Sequence, residues 1–158
     1  MSPAVALYSD DTTVQLAALE VGAERYVVDV MRVEEVIPPP EVVKVASGPS
    51  FVEGVFELRG AILPLVDARK RLLGKSGTYE AGRLVVCKVG GGRFGLLVDR
   101  VTTVFRTAKS NLKSAPLTST AERPYVLGVC HHAGRLYLML DVKALLSEGA
   151  SRSGASPA

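Results

Sequence analysis

"VGAERYVVDVMRVEEVI" (residues 21–37) and "VGGGRFGLLVDRVTTVF" (residues 89–105) are two copies of one pattern, and this repetition decides the fold. A second pair follows in the same order, "FVEGVFELRGAILPLVDARKRL" (residues 51–72) and "YVLGVCHHAGRLYLMLDVKALL" (residues 125–146). In the first pair the identical positions are Val21/Val89, Gly22/Gly90, Arg25/Arg93, Val30/Val98, Arg32/Arg100, Val33/Val101 and Val36/Val104. The sequence therefore predicts an internal duplication, with pseudo-repeats at about residues 14–73 and 84–146.

Each repeat is predicted to contain a hairpin, a loop, a second hairpin that turns at Gly60 or Gly134, and a short helix. Asp67 and Asp141 each follow an apolar run and precede a helix-compatible stretch. An aspartate at this position accepts hydrogen bonds from the first free amides of a helix, so both are predicted helix caps. The predicted fold is mainly β, with two similar small barrels and short helices.

A glycine motif of the kind that binds dinucleotides occurs once, at Gly90, Gly92 and Gly95. The motif binds pyrophosphate only where it joins a strand to a helix, because the phosphate needs the free amides of the helix N-terminus. Here both flanks, "RLVVCKV" and "RFGLLVDRV", are rich in β-branched and aliphatic residues. The motif is therefore predicted to close a hairpin, and no nucleotide cofactor is expected.

The composition and the lack of membrane and secretion signals predict one domain that stays in the cytoplasm. The chain has 158 residues, 47% of them hydrophobic, which is enough for one domain or two small barrels that share a core. No apolar run is long enough to cross a bilayer, and the N-terminus lacks the pattern of a secretory signal, so no membrane insertion is expected. Cys87 and Cys130 lie in apolar runs and are predicted to pack in the core. The cations of "RKRLLGK" (residues 69–75) are expected to face water near the end of a short helix.

Catalytic and metal-binding patterns are missing from the sequence, so the chain is predicted not to be an enzyme and to hold no metal. The two histidines, His131 and His132, are neighbours and would point to opposite faces of a strand, which favours ordinary structural positions. Glu35 and Arg59 lie among apolar residues, where each would be costly to bury alone. Either the two form an ion pair or both point to solvent, and periodicity alone does not separate these alternatives.

The stretch at residues 51–72 closely resembles the CheW family of chemotaxis coupling proteins, whose pattern there is approximately hydrophobic-x-x-G-V-x-N-L-R-G-x-I-x-P-V-x-D-L-R. "LAALEVGAERYVVDVMRVEEVI", "GGRFGLLVDRVTTVF" and "YVLGVCHHAGRLYLMLDVKALL" resemble the rest of the family in order, so the resemblance covers about residues 14–146. Glu57 replaces the family's asparagine and Ala68 its leucine, and these departures concern the choice of partner more than the fold.

The resemblance implies two five-stranded SH3-like β-barrels in one domain at residues 14–146. Residues 1–13 would be an N-terminal extension, and residues 147–158, which have almost nothing to bury, are predicted to be a disordered tail. The implied partners are the cytoplasmic helical hairpin tip of a chemoreceptor and the regulatory domain of a CheA-type histidine kinase, joined in a ring-forming assembly at receptor arrays. The alternative is a small-barrel protein that binds nucleic acid, although 19 cations against 16 anions make a weak basic footprint.

Carried over position by position, the family's receptor-side residues fall on both repeats. They correspond to Val33, Glu35, Gly54, Arg59, Gly95 and Gly128. Within this set Glu35 and Arg59 are expected to form a salt bridge that holds the receptor-facing surface in shape.

Overall fold

The computed structural model of the chain describes residues 12–46, 48–74, 81–114 and 125–146. Within these ranges the chain forms two six-stranded β-sheets. The strands are β1 (Thr13–Val21), β2 (Glu24–Asp29), β3 (Val33–Ile37), β4 (Val43–Lys44), β5 (Val52–Leu58), β6 (Ala61–Asp67), β7 (Arg83–Val89), β8 (Gly92–Val98), β9 (Arg100–Ala108), β10 (Leu112–Ser114), β11 (Val126–His132) and β12 (Arg135–Leu140). The predicted tail and most of the predicted N-terminal extension lie outside the described residues.

The two sheets exchange hairpins between the repeats. Sheet A has the order β10-β11-β12-β2-β1-β9, and sheet B has the order β3-β7-β8-β6-β5-β4. Sheet A therefore takes its β1–β2 hairpin from the first repeat and its other strands from the second. Sheet B takes its β7–β8 hairpin from the second repeat and its other strands from the first. The parallel pairs β12–β2 and β6–β8 join strands of different repeats. Neither repeat forms a sheet alone, and the subdomains built on sheets A and B are named barrel A and barrel B.

The prediction of a mainly β fold with two SH3-like subdomains is confirmed. Each sheet has six strands rather than five because the short strands β4 and β10 pair with β5 and β11. The helical elements of the described residues are short: 3₁₀ turns at Val30–Arg32 and Lys109–Asn111, a turn of π-helix at Arg69–Leu73, and the helix α1 at Val142–Leu145.

Tight turns close the predicted hairpins. Strands β7 and β8 pair up to Val89 and Gly92, with Gly90 at φ 54°, so the glycine motif forms a hairpin turn as predicted. The β5–β6 turn has positive φ at both central residues, 48° at Arg59 and 88° at Gly60. This is the pattern of a type I′ turn, whose twist suits two-residue hairpins. A non-glycine residue in this conformation is strained, which makes Arg59 unusual.

The hydrophobic core is shared by the two barrels. A central cluster contains buried residues of both repeats, among them Tyr26 and Phe94, and a smaller cluster fills each barrel, around Phe56 in barrel B and Tyr137 in barrel A. Cys87 belongs to the central cluster and Cys130 to that of barrel A, so the prediction of core packing is confirmed for both. Burial raises the pKa of the Cys87 thiol to about 12.

Both aspartates predicted as caps accept hydrogen bonds from the first amides of a helical segment. Asp141 accepts from Ala144 N at 3.4 Å at the start of α1. Asp67 Oδ1 accepts from the amides of Arg69 and Lys70 at 3.0 and 3.3 Å, and the adjoining π-turn ends at Gly74, where φ is 76°. Side-chain acceptance at these positions satisfies amides that have no partner within the helix.

The expectation that the cations of residues 69–75 face water is wrong in part. Arg69 forms an ion pair with Asp99, and Lys70 with Glu53. Arg71 is buried, because its guanidinium lies over the ring of Phe51 and donates to backbone carbonyls of α1. Lys75 lies outside the described residues.

Candidate partner-binding site

The ion pair between Glu35 and Arg59 links the two sides of sheet B. Glu35 lies on β3, at one edge of sheet B, and Arg59 lies in the β5–β6 turn near the other edge. Arg59 Nη1 donates to Glu35 Oε2, and Nη2 donates to Oε1 at 2.8 Å. This bidentate arrangement is the geometry that the planar guanidinium and the carboxylate favour. The hydrogen bond from Arg59 lowers the pKa of Glu35 and raises the pKa of Arg59.

The ion pair lies at the surface rather than in the core. The Arg59 side chain is 66% exposed and that of Glu35 is 24% exposed. The premise that an apolar sequence environment would bury both charges is therefore wrong for Arg59, because a residue in a hairpin turn projects beyond the packed strands. Two of the five N–H donors of the guanidinium bind Glu35, and an exposed guanidinium can offer others to a partner.

A second ion pair, which the sequence pattern did not predict, lies beside the first. Arg93, on β8, contacts Glu34 of β3 with an Nη1–Oε2 distance of 3.1 Å. Glu34, Glu35, Arg59 and Arg93 together make a surface that we name the charged surface of barrel B. An arginine occupies this position in both copies of the repeat, as Arg25 in the first and Arg93 in the second. This repetition was the sequence signal that could have pointed to the second ion pair.

The glycines predicted to face the receptor are buried. A Cβ atom on Gly54 would overlap the carbonyl oxygen of Val43 in β4, and one on Gly95 would press on the side chains of Phe56 and Leu84. On Gly128, a Cβ would overlap the carbonyl oxygen of Lys113 in β10. These glycines permit close packing and present no side chain to a partner.

The six predicted receptor-side residues are thus divided by the structure. It brings Glu35 and Arg59 together at the surface and places Val33 on the same strand as Glu35, half-buried against the central core. Gly54 and Gly95 lie within sheet B, whereas Gly128 lies in sheet A.

Each barrel also has an apolar groove. The barrel B groove, with a volume of about 410 Å³, is lined by Pro40, Glu41, Val43, Val55, Phe56, Glu57 and Ile62. The barrel A groove, of about 300 Å³, is lined by Val14, Leu16, Val27, Asp29, Lys109, Leu112, Leu127, Met139 and Leu140. Val43 and Ile62 in the barrel B groove and Leu127 in the barrel A groove are each more than half exposed, so each groove offers an apolar side chain for contact.

The two histidines occupy different environments. The ring of His132 stacks on Phe105, with ring centroids 3.7 Å apart, whereas His131 is exposed. In the part of the chain that the structure describes, no three His, Cys, Asp or Glu residues are grouped closely enough to hold a metal ion. Over the same residues, no helix is long and apolar enough to span a membrane.

Comparison with known proteins identifies the family. Residues 15–150 match the family model described as the CheW-like domain. The chemotaxis protein CheW of Klebsiella aerogenes is 30% identical over 80% of this chain and 77% of its own length, and that of Treponema pallidum is 28% identical over 87% and 85%. The crystal structure of the scaffolding protein TtCheW from Thermoanaerobacter tengcongensis superposes with a TM-score of 0.80 at 25% identity, covering 87% of this chain and 94% of that one.

The names of these relatives describe chemotaxis and scaffolding proteins and no enzyme, in agreement with the prediction that the chain is not an enzyme. The fold, the order of the motifs and the extent of the match agree with one another. The chain therefore belongs to the CheW family of chemotaxis coupling proteins.

Proposed function

We propose that this chain couples the cytoplasmic helical hairpin tip of a chemoreceptor to the regulatory domain of a CheA-type histidine kinase, as a cytoplasmic scaffold recruited to receptor arrays. Family membership supports this role. The observation that carries the receptor half of the proposal is the exposed Glu35–Arg59 pair, since the resemblance of the sequence to the family assigns both residues to the receptor side. The buried glycines among these positions would shape the barrel rather than touch the receptor.

Receptor binding would use the charged surface of barrel B and the apolar residues next to it. Arg59 is oriented by Glu35, so little side-chain entropy is lost when a partner binds it. Val36, two residues after Glu34 on β3 and exposed like it, is 42% exposed and offers apolar contact near the Glu34–Arg93 pair. A helix with an apolar face and an acidic side chain at its rim would complement this surface.

Kinase binding would use the two apolar grooves. Both grooves include corresponding strands, β10, β11 and β12 in barrel A and β4, β5 and β6 in barrel B, but only the barrel A groove also includes β1 and β2. The exposed residues Leu127 and Ile62 do not align in the repeat, so the two grooves present different surfaces. A member with two unlike contact surfaces can form head-to-tail interactions, and these close into rings where the rotation permits. The grooves are therefore assigned to two different contacts with kinase domains.

Nucleic-acid binding, the alternative drawn from the basic composition, is not favoured. Arg59, Arg69, Lys70, Arg93 and Arg100 all contact carboxylates, and Arg71 is buried. Phosphate binding depends on cations that are free to displace counterions, and pairing reduces their number.

The proposal is tested with a receptor hairpin fragment and a kinase regulatory domain from the cell that makes this chain. Both should co-purify with the wild-type chain and should form a ternary complex. A labelled oligonucleotide titrated at rising salt provides the comparison. Salt-sensitive oligonucleotide binding without receptor or kinase binding would replace the proposal with the alternative.

A further inference from the structure

The internal duplication allows the charged surface of barrel B to be compared with the equivalent part of barrel A. Thr102 and Thr103 of β9 align with Glu34 and Glu35 of β3. The strand pairing supports this alignment, since Val33↔Cys87 and Glu35↔Val86 in sheet B correspond to Val101↔Leu19 and Thr103↔Ala18 in sheet A, with a register shift at the same place. Barrel A thus has two hydroxyl groups where barrel B has two carboxylates.

One of the two arginines of the charged surface of barrel B is retained in barrel A, whereas the position of Arg59 is taken by Ala133. Arg25 aligns with Arg93, which pairs with Glu34 in barrel B, and Arg135 lies close by on β12. Both are exposed, and neither forms a hydrogen bond or an ion pair within residues 12–46, 48–74, 81–114 and 125–146. In barrel A, therefore, Arg25 remains although a threonine replaces the carboxylate that pairs with Arg93 in barrel B, and Glu20, its neighbour across the β1–β2 pair, forms no ion pair with it.

These groups line one pocket of about 200 Å³. Its walls include Arg25, Arg135, Thr102, Thr103 and Tyr137. Glu20 also lines the pocket, but its carboxylate contacts Arg100, at an Oε1–Nε distance of 3.7 Å. The volume is below the range of about 300–1,000 Å³ that is typical of sites for whole small molecules, and it suits a single side chain.

The buried tyrosine of this pocket provides a second, independent observation. Tyr137 is only 7% exposed. Its ring contacts Phe105, and its hydroxyl has no hydrogen-bond partner among the residues that the structure describes. The side chain lines the pocket and its hydroxyl can donate one hydrogen bond, so a ligand that accepts a hydrogen bond would be stabilised here.

We propose that this pocket, which we name the Arg25–Arg135 pocket, binds a carboxylate side chain from an acidic segment of a partner protein. The chemistry follows from the donor set: two guanidinium groups and a tyrosine hydroxyl line a space in which a carboxylate can accept several hydrogen bonds at once. The hydroxyls of Thr102 and Thr103 donate to the carbonyls of Ala18 and Val104, so they are not counted among these donors. The partner would supply from outside the group that Glu34 supplies from within the chain in barrel B.

The test is a titration of the full chain, followed by NMR, with an acetylated tetraglutamate peptide. We expect a dissociation constant in the roughly millimolar range, because the contact is a single side chain in a small site. The shifted amides should lie around Arg25, Arg135 and Tyr137. Arg25→Ala and Arg135→Ala should each weaken binding about tenfold, which corresponds to one charge-assisted contact. Arg32→Ala removes an exposed arginine outside the pocket and is the matched control.

Two probes separate the carboxylate from other anions. Inorganic phosphate and a short oligothymidine should bind more weakly than tetraglutamate and should produce shifts that are not centred on the pocket. The proposal is overturned if phosphate or the oligonucleotide binds this pocket as tightly as tetraglutamate, or if Arg25→Ala and Arg135→Ala bind tetraglutamate like the wild type.

Thr102→Glu gives a test that does not remove the pocket's cations. This variant places a carboxylate where Glu34 stands in barrel B, so Arg25 should gain an internal partner and the tetraglutamate peptide should be excluded. The melting temperature should be unchanged or higher. A folded Thr102→Glu variant that binds the peptide as tightly as the wild type would contradict the assignment.

Discussion

At the scale of single residues, Arg59 combines a strained backbone with a functional side chain. Its φ of 48° is one that asparagine and glycine adopt more easily than arginine in a type I′ turn. An arginine is kept there although it fits the turn poorly, and its bidentate bond to Glu35 gives a reason. Strain of this kind is typical of positions selected for function.

Replacing Arg59 by Asn is therefore expected to separate stability from function. Arg59→Asn should leave the melting temperature unchanged or raise it, because asparagine relieves the turn, but it should weaken receptor-fragment binding about tenfold or more. Arg59→Lys should rescue binding poorly, since an ammonium group lacks the planar fork. Ala133→Asn changes the equivalent turn of barrel A, where φ is 51°, and is the matched control with unchanged binding. Retained binding by Arg59→Asn would show that the guanidinium is not a receptor contact.

Arg71 is expected to contribute strongly to stability although it is a charged residue. Its guanidinium lies 3.5 Å from the ring centroid of Phe51 and 4.6 Å from that of Tyr125, and its Nε donates to Leu145 O at 2.8 Å. Phe51 and Tyr125 occupy the same position in the two repeats, so Arg71 joins both copies.

Arg71→Ala should lower the free energy of unfolding by about 2–4 kcal/mol, because it removes stacking and leaves buried carbonyls without a donor. Chemical denaturation followed by circular dichroism measures this change. Lys70→Ala, which removes a surface ion pair with Glu53, should cost less than about 1 kcal/mol. Equal losses in the two variants would disprove the structural role assigned to Arg71.

At the scale of elements, the sequence predicted the hairpins well because their apolar runs are separated by glycine-containing turns. Strands β4 and β10 were not predicted, since each has only two or three residues and no periodicity of its own. Their positions depend on close contact with a glycine of the neighbouring strand, a tertiary effect that local patterns do not contain. The burial of Arg71 was missed for a similar reason, because arginine is nearly always exposed.

Gly54 should be essential for the pairing of β4 with β5. A methyl group at this position would overlap the carbonyl oxygen of Val43, so β4 would have to move. Gly54→Ala is expected to reduce the free energy of unfolding by about 1–3 kcal/mol, the usual range for overpacking. Gly91→Ala is the control, because a Cβ atom at Gly91 would have no atom within 4 Å and the residue has no positive φ. Urea denaturation of both variants measures the change, and Gly91→Ala should be nearly neutral. A neutral Gly54→Ala would mean that β4 adapts without cost.

At the scale of the whole molecule, the exchange of hairpins makes the two barrels depend on each other. Periodicity predicted the strands of each repeat but not their partners, because alternation fixes the face of a strand and not its neighbour. Asp99 illustrates the linkage: it accepts a bond from Gly22 N at 2.6 Å in the β1–β2 turn, and Arg69, which lies just after β6, donates to it from Nε at 3.0 Å. One carboxylate thus joins a hairpin of barrel A to barrel B.

This linkage should make stability depend on pH in the acid range. Burial opposes ionisation of Asp99, but the bonds from Arg69 and Gly22 outweigh it and lower its pKa. A lowered pKa in the folded state stabilises the fold above the unfolded pKa of about 4, and the contribution is lost as the pH falls through the folded value.

Asp99→Asn should therefore cost about 1–2 kcal/mol in urea denaturation at about pH 7, and the difference from the wild type should shrink at about pH 3. Glu41 is exposed and has no hydrogen-bond or ion-pair partner among the described residues, so Glu41→Gln should show neither effect. A cost that stays constant down to about pH 3 would indicate that the carboxylate charge is not the source of the linkage.

The central claim is that one chain uses different surfaces to join a receptor to a kinase. The most direct test measures how much kinase regulatory domain is carried onto an immobilised receptor hairpin by the wild type, by Arg59→Glu and by Leu127→Asp. Leu127 is 55% exposed and lines the barrel A groove, where a charge should prevent apolar contact. The account predicts that Arg59→Glu binds kinase but not receptor, that Leu127→Asp binds receptor but loses the kinase contact of the barrel A groove, and that both variants recruit less kinase to the receptor than the wild type does. Recruitment at the wild-type level by either folded variant would contradict it.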